Sequence, residues 1–410
     1  MKKNGFTLVE LLSIVVILGI IVVVALPQIS GSIGSKKEKQ YNKIVKIVEN
    51  AGKVYLTENG TMDSVSIDKL IESDYLTSGL KNPINNTPLT GCVKKITSDG
   101  VTKYKYEVDN CPDENIFIVD HITNLYNDEE TRIKDGLKKD NTPDQNIRYY
   151  GSNPNNYVLF NNELWRIIGV FGNNVKLVRS ESLGSLSWDS SESSVNEGWG
   201  VNEWSQADLK NYLNTMYYGG DTTVTCYDGQ NKKEVTCPTN KLDETSKSLI
   251  DKHTWNTGAI DYNTRTNTLA FYKDERGKQT GKICNGGAGC NDTVERTTEW
   301  TGYIGLPYAT DYAYASSESV CETNMQKQDS SNNYICKNNN WMQRSTWAWY
   351  FSPFVDGSFA RYAWCVSGDG VAYGNRAANS IAVAPSIYLK SSVLMKGGFG
   401  TSSDPYELSL

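Results

Sequence analysis

Histidine is scarce in this chain of 410 residues, which contains only His121 and His253. No HExxH motif and no recognisable Ser/His/Asp pattern occurs, so the sequence gives no support for zinc-protease or serine-hydrolase chemistry. None of its nine cysteines forms a CxxC metal knuckle. These absences argue against an enzyme, and we expect neither a cofactor nor a metal.

Basic residues are also fewer than acidic ones. The chain has 41 Lys and Arg against 47 Asp and Glu, which gives a formal net charge of −6. Proteins that hold nucleic acid without sequence preference neutralise its phosphates with clustered basic residues. The acidic balance therefore argues against nucleic acid as a partner.

Eight of the nine cysteines fall into four couples that are close in sequence, separated by 19, 11, 6 and 15 residues. Eight cysteines allow many connectivities, so a pairing within couples depends on this locality alone. The predicted disulfides join Cys92 to Cys111, Cys226 to Cys237, Cys284 to Cys290, and Cys321 to Cys336. Disulfides of this kind indicate an oxidising, extracellular setting.

The length predicts two or three folded units, because one ordinary core does not extend over 410 residues. The first 35 residues are strongly apolar, whereas the remainder is polar and rich in Asn, Ser, Gly and Tyr. This composition is typical of an exported soluble protein behind one membrane segment.

An apolar run at residues 6–26 is long enough to cross a bilayer at about 1.5 Å of rise per residue. A secretory signal peptide cleaved near "VVVALPQ" is one interpretation. Glu10 argues against it, because a carboxylate in the middle of a span costs about 2.5–3.5 kcal/mol and an export signal would gain nothing from it.

The stretch "KKNGFTLVELL" resembles the leader of type IV prepilins and pseudopilins. The resemblance implies that a prepilin peptidase cuts between Gly5 and Phe6 and methylates the Phe6 amine. It also implies that Glu10 pairs with the N-terminal amine of a neighbouring pilin subunit, which would neutralise the buried carboxylate. The protein would lie in the inner (cytoplasmic) membrane as a prepilin and afterwards on an extracellular pilus or the cell surface.

The first part of the chain is then expected to be α+β, with a long pilin helix and a small antiparallel head. Apolar residues recur at helical spacing after the span, at Tyr41, Ile44, Val48, Ala51 and Tyr55. The predicted segments are a leader at 1–5, the helix at 6–57, the head at 58–125 and a charged linker at 126–147. Within the head we predict a short helix near 66–73 and strands near 91–96 and 102–108, with "SDG" as the turn.

The remainder, residues 148–410, alternates apolar runs with Asn-rich turns. The predictions here are strands at 157–160, 164–171 and 175–179 and helices from Ser205 to Met216 and at 243–250. The stretches "NELWRIIGVF", "EWSQADLKNYLN", "TGYIGLPYATDYAYAS" and "WYFSP" resemble C-type-lectin-like and formylglycine-generating-enzyme-like surface domains. The resemblance implies a loop-rich mixed α/β domain whose C-terminal half presents a ligand surface.

Aromatic residues are concentrated at 341–373, where they make up ten of 33 positions. Trp347, Trp349 and Phe351 alternate as one strand face, which Trp364 continues on the next strand, and burial is expected for Trp349 and Trp364. The side chains between them cannot all join that core, and they have the composition of an adaptable recognition patch. The predicted ligand-binding residues are Tyr350, Phe354, Val355, Phe359, Arg361, Tyr362, Tyr373, Asn375 and Arg376.

The leading hypothesis is a minor or tip pilus subunit whose large domain binds a protein or glycan on a host, a bacterium or a phage. Lectin-like domains of this kind include proteins diversified by retroelements in such a C-terminal stretch, and the unpaired Cys365 could be a product of diversification or a buried thiol.

A DNA-uptake or secretion pseudopilin is the first alternative. An enzyme of the formylglycine-generating type is the second, although Cys365 has no nearby second cysteine. Residues 341–385 also lack the Glu-Pro-Asn and Trp-Asn-Asp motifs of calcium-dependent lectins.

Overall fold

The computed structural model describes residues 33–58, 64–98, 101–108, 111, 116–192, 197–261, 267–277, 294, 296–323, 336–355 and 359–410. The chain divides into two compact units, Met1–Asn115 and Ile116–Leu410. Both mix helices with strands, and strands predominate in the second. The predicted leader and membrane segment at 1–26 lie outside the residues that the structure describes.

The first unit packs a long helix on a three-stranded antiparallel sheet of order β1-β2-β3. Its elements are α1 (Ile33–Glu58), β1 (Ser64–Ser66), α2 (Ile67–Glu72), β2 (Cys92–Ser98) and β3 (Val101–Glu107). Helix α2 begins after Ser66, whose hydroxyl accepts a hydrogen bond from the Lys69 N–H at 3.0 Å. The predicted short helix and both strands of the head are therefore confirmed.

The core of this unit forms on the apolar face of α1, as the helical spacing predicted. Ile44, Val48, Ala51 and Tyr55 are all buried. Helix and sheet approach so closely that a Cβ atom at Gly52 would lie 2.4 Å from the Val93 Cβ atom, which only glycine avoids. The predicted disulfide between Cys92 and Cys111 is present.

The second unit contains all later elements. Its helices are α3 (Ile118–Asn127), α4 (Glu129–Asp135), α5 (Asp208–Asn211), α6 (Glu244–Leu249), α7 (Thr268–Glu275), α8 (Ala309–Tyr314) and α9 (Ser319–Thr323). Its strands are β4 (Ile116–Phe117), β5 (Leu137–Lys139), β6 (Ile147–Tyr149), β7 (Tyr157–Phe160), β8 (Glu163–Phe171), β9 (Asn174–Arg179), β10 (Ser185–Leu186), β11 (Cys226–Tyr227), β12 (Glu234–Val235), β13 (His253–Asn256), β14 (Ile260–Asp261), β15 (Glu299–Gly302), β16 (Ile304–Gly305), β17 (Ala348–Val355), β18 (Tyr362–Val366), β19 (Ala372–Arg376), β20 (Ile381–Ala382), β21 (Ser386–Tyr388), β22 (Leu394–Gly397) and β23 (Tyr406–Ser409).

Two large sheets organise these strands. A ten-stranded sheet runs β16-β21-β9-β8-β7-β23-β22-β4, and β6 joins it through β8 and carries β5. A six-stranded sheet runs β10-β20-β17-β18-β19, with β14 paired to β17. Side chains from both sheets belong to one continuous apolar core. The aromatic stretch of the sequence supplies β17, β18 and the first residues of β19, so it lies within the second sheet.

The boundary between the units differs from the prediction. Strand β4 pairs with β22, and α3 buries Ile118 and Ile122 in the core of the second unit. Residues 116–125 therefore do not belong to the head. The expected linker at 126–147 instead forms α4 and β5, and β5 pairs with β6. The linker was predicted because the segment is highly charged, but a few of its side chains pack in the core, and Leu137 and Asp140 are buried.

The strands predicted at 157–160, 164–171 and 175–179 correspond to β7, β8 and β9. The helix predicted from Ser205 to Met216 is divided into three parts. A 3-10 turn (Trp204–Gln206) precedes α5, and a π-helical segment (Tyr212–Tyr217) follows it. The helix predicted at 243–250 is α6, capped by the carboxylate of Asp243.

The second unit contains two of the predicted disulfides. Cys226 is joined to Cys237, and Cys321 is joined to Cys336. The predicted pair Cys284 and Cys290 lies in a stretch that the structure does not describe. Cys365 is a buried free thiol, and burial raises its pKa far above the usual range.

Candidate ligand-binding surface

The predicted ligand-binding residues separate into buried and accessible groups. Tyr350, Phe354, Val355 and Arg361 are buried, so the expectation that they are exposed was wrong. For Tyr350, Phe354 and Val355 the cause is the position of β17, which lies between β20 and β18 with all eight residues buried. A strand covered on both faces shows no alternation between core and solvent.

Two aromatic side chains are exposed beside this sheet. Trp347 and Tyr373 are each 41% exposed, and their ring centroids lie 6.2 Å apart in an edge-to-face arrangement. Trp347 was expected to lie on one strand face with Trp349, but β17 begins one residue later, at Ala348. We call Trp347 and Tyr373 the exposed aromatic pair.

Further accessible residues lie along β19, the last strand in the order of its sheet. Tyr373 and Asn375 are on one side of this strand and Arg376 is on the other, because side chains alternate. The Arg376 guanidinium stacks 4.3 Å from the ring centroid of Trp199. The last two predicted residues, Phe359 and Tyr362, are half-buried.

A cavity of about 450 Å³ adjoins the segment 341–350, which also carries Trp347. Tyr350 lines this cavity, so one predicted residue contributes to it in spite of its burial. Three arginines line the cavity, Arg166, Arg179 and Arg344, and sequence reasoning missed all of them. The sequence signal that could have identified Arg166 is its position as a charged residue inside the apolar run "ELWRIIGVF" of β8.

Aromatic rings enclose the Arg166 side chain. Its guanidinium carbon lies 4.1 Å from the Tyr157 ring centroid and 4.7 Å from that of Trp341. Burial lowers the pKa of Arg166 to about 10, and the nearby charge of Arg344 acts in the same direction. The side chain therefore remains a cation at neutral pH.

The two histidines lie outside this cavity. His253 stacks on Tyr388 with centroids 3.7 Å apart, and His121 packs edge-on against Tyr406. In the described parts of the chain, no group of three or more His, Cys, Asp or Glu side chains is arranged to hold a metal ion. Around the cavity, aromatic and cationic side chains lie side by side.

Comparison with known proteins gives one positive result, at the N-terminus. Residues 1–26 match the prokaryotic N-terminal methylation motif. No curated protein and no solved structure matches the chain. The protein therefore carries a type IV prepilin-like leader, which fits a membrane-anchored prepilin that is later exported and implies processing by a prepilin peptidase and other pilins as partners.

Gly5, Phe6 and Glu10 all lie within the matched segment. That segment precedes the first residue that the structure describes. From Ile33 onward, none of the described helices is long and apolar enough to cross a membrane.

Proposed function

We propose that this protein is a minor or tip subunit of a type IV pilus and that its second unit recognises a ligand on another cell or a phage. The observation that carries the proposal is the methylation motif at 1–26, followed by a unit that extends from residue 116 to 410. A unit of that size would be awkward to repeat along a closely packed filament. We therefore favour the tip over the shaft.

We further propose that the second unit is a C-type-lectin-like domain that binds without catalysing a reaction. The support is the resemblance of its sequence stretches, together with a mixed α/β architecture rich in loops. Intramolecular disulfides in this unit fit an extracellular location.

The exposed aromatic pair is the part of the surface that we propose for ligand contact. Aromatic and arginine side chains dominate the energetics of protein recognition surfaces, and Arg376 and Asn375 lie on the strand that carries Tyr373.

We also propose that accessible positions of 341–385 are diversified by a retroelement. Related copies from the same source should then differ at Trp347, Tyr373 and Asn375 while the buried positions of β17 stay constant. Differences spread evenly over buried and exposed positions would contradict diversification.

Gold labelling of intact filaments with an antibody against residues 116–410 tests the pilus proposal. We expect label at filament ends. Label along the whole shaft would contradict the tip location, and filaments without label would contradict the pilus proposal itself.

The methylation motif fits a pseudopilin of a DNA-uptake or secretion system equally well, so this is the second candidate function. DNA binding by the purified chain that falls steeply with salt would favour it, since phosphate contacts release counterions. We expect no such binding, because the net charge of the chain is −6.

A further inference from the structure

The cavity beside residues 341–350 contains two arginines that no carboxylate of the described residues contacts directly. Arg166 donates from Nε to the Asn156 Oδ1 atom at 2.8 Å and from Nη2 to the Pro154 carbonyl at 3.2 Å. Arg344 donates to the carbonyl oxygens of Ser180 and Arg179, each at 2.7 Å. Among the described residues, neither guanidinium forms an ion pair.

A third arginine of the same lining, in contrast, does form an ion pair with a carboxylate. Arg179 binds Glu163 through two hydrogen bonds, from Nε to Oε1 at 2.9 Å and from Nη2 to Oε2 at 2.5 Å. The carboxylate of Glu163 is therefore already engaged. Glu181, the other acidic residue of the lining, is exposed to solvent.

Burying a cation without a counter-ion is costly, because the protein interior solvates charge less well than water. Both arginines respond in the same way: burial lowers the pKa of Arg166 and that of Arg344. Each stays charged at neutral pH, since arginine loses its proton only in strongly basic solution. An anion that enters the cavity would offset this cost.

Another donor in the lining is also unused. The hydroxyl of Ser180 is enclosed and has no hydrogen-bond partner among the described residues. The Tyr350 side chain also lines the cavity; burial raises the pKa of its hydroxyl, and the positive charge of Arg344 opposes this shift. Enclosed polar groups without partners are rare, and a ligand is one ordinary explanation for them.

The lining also includes the aromatic side chains of Trp341, Trp349 and Tyr157, together with aliphatic residues such as Leu164 and Val178. The volume of about 450 Å³ lies within the range of small-molecule sites, roughly 300–1,000 Å³. Aromatic walls accept the apolar C–H face of a sugar ring, while hydroxyl and guanidinium groups bind its oxygens. Aromatic side chains, the Ser180 and Tyr350 hydroxyls and two guanidiniums that form no ion pair with a described residue together fit a small, ring-shaped, anionic molecule.

We propose that this cavity binds an acidic sugar, with its carboxylate placed between Arg166 and Arg344 and its hydroxyls near Ser180 and Tyr350. Guanidinium groups bind carboxylates through two parallel hydrogen bonds, which gives geometric selectivity as well as attraction. The proposal deepens the ligand-recognition function above by naming a class of ligand, and it rests on that function for its biological purpose.

Calorimetric titration of the full-length protein in detergent at pH 7 tests this proposal. The probes are glucuronic acid and N-acetylneuraminic acid, each compared with its neutral methyl ester. We expect at least one acid to bind about tenfold or more tightly than its ester, because charge-assisted hydrogen bonds are the stronger ones. Absence of binding by both acids, or equal binding of acid and ester, would overturn the proposal.

Two further ligands separate a sugar site from a general anion site. Inorganic phosphate and a short peptide with a free C-terminal carboxylate present negative charge without a sugar ring. We expect both to bind much more weakly than the acidic sugar. Binding of phosphate or the peptide as tightly as the sugar would contradict the sugar assignment.

Single substitutions locate the site. Arg344→Gln should weaken binding about tenfold or more, and Tyr350→Phe, which removes only a hydroxyl, should weaken it about threefold. Arg132→Gln is the matched control, because Arg132 lies on α4 near Glu129 and does not line the cavity. If Arg344→Gln fails to fold, Tyr350→Phe still tests the site. Unchanged affinity in a folded Arg344→Gln or Tyr350→Phe protein would overturn the location.

These measurements do not require filaments. A chain that is absent from pili but binds acidic sugars would contradict only the pilus proposal. A chain that labels filament ends but binds none of the sugars would contradict only the inference made here.

Discussion

The Lys176 Nζ atom lies 2.6 Å from the Asp311 Oδ2 atom, and both side chains are buried in the second unit. Asp311 also accepts a hydrogen bond from Arg148 Nη1 at 2.6 Å, and Arg148 Nε binds Asp140 at 2.8 Å. These contacts connect β6, β9 and α8. A buried ion is tolerated only when its partners are in place, so the four groups depend on one another.

Replacing Lys176 with Met should destabilise the folded protein by about 3 kcal/mol, because Asp311 would lose one of its two cationic partners inside the core. Urea denaturation of the full-length protein in detergent measures the change. Lys247→Met is the matched control, since Lys247 pairs with Glu244, whose side chain is 89% exposed. We expect the control to lose no more than about 0.5 kcal/mol. Equal effects in the two variants would contradict the account of the cluster.

A second prediction concerns pH. Glu275 is fully buried, accepts hydrogen bonds from Thr310 and Ser352, and lies next to Arg276. Burial is the largest influence and raises the pKa of Glu275 to about 7. A carboxyl whose pKa is raised by folding stabilises the protein below its usual pKa, and this contribution is lost as the pH rises through about 7.

Glu275→Gln removes the titrating group while keeping one oxygen acceptor. The stability advantage of the wild-type protein over this variant should therefore be larger at pH 5 than at pH 8, by about 2–3 kcal/mol. Urea denaturation at both pH values measures it, with the exposed Glu244→Gln as control. A difference that does not change with pH would show that Glu275 is ionised in the folded state throughout this range.

Short-range patterns predicted three consecutive strands of the second unit, β7, β8 and β9. The turn between β7 and β8 consists of Asn161 and Asn162, whose φ angles are +56° and +57°. Asparagine tolerates this left-handed region better than most residues, so the Asn-rich turns marked strand ends correctly. The helices predicted near 66–73 and at 243–250 also form, as α2 and α6, and Ser66 and Asp243 cap them.

Features that depend on distant parts of the chain escaped prediction. Alternation could not separate Tyr350 from Trp349, because other layers cover β17 on both faces and both residues are buried. The segment 126–147 was wrongly predicted to be a linker. Its structure depends on the pairing of β5 with β6 rather than on apolar residues of its own. The cavity combines Arg166 and Arg344, which are far apart in sequence, and no local pattern indicates that they meet.

The exposed aromatic pair gives a third prediction. Trp347→Ala and Tyr373→Ala should each change the free energy of unfolding by less than about 1 kcal/mol, because both side chains are largely exposed. Together they should abolish attachment of piliated cells to their target surface. Trp349→Ala removes a fully buried ring and should cost about 3–5 kcal/mol.

Phe399→Ala is the control for attachment, because Phe399 is exposed in the second unit but lies outside the predicted patch. Cells that carry it should attach normally. Normal attachment by the Trp347→Ala, Tyr373→Ala double variant would contradict a role for the pair.

A fourth prediction concerns Glu10, which lies in the methylation motif. Glu10→Val should leave membrane insertion intact, because it makes the segment more apolar, and should impair incorporation into filaments, because no carboxylate remains to meet a neighbour's amine. Comparing the membrane fraction with sheared filaments measures both steps. Leu11→Val is the control within the same segment, and normal filament incorporation of Glu10→Val would refute the pairing.

The most direct test of the pilin account is the N-terminal residue of the chain recovered from sheared filaments, determined by mass spectrometry of its first peptide. The account predicts a chain that lacks residues 1–5 and begins with an N-methylated Phe6. Two results would contradict it. One is a chain found only in membranes with its leader intact, and the other is a chain cleaved beyond Leu26, as a secretory signal peptide is.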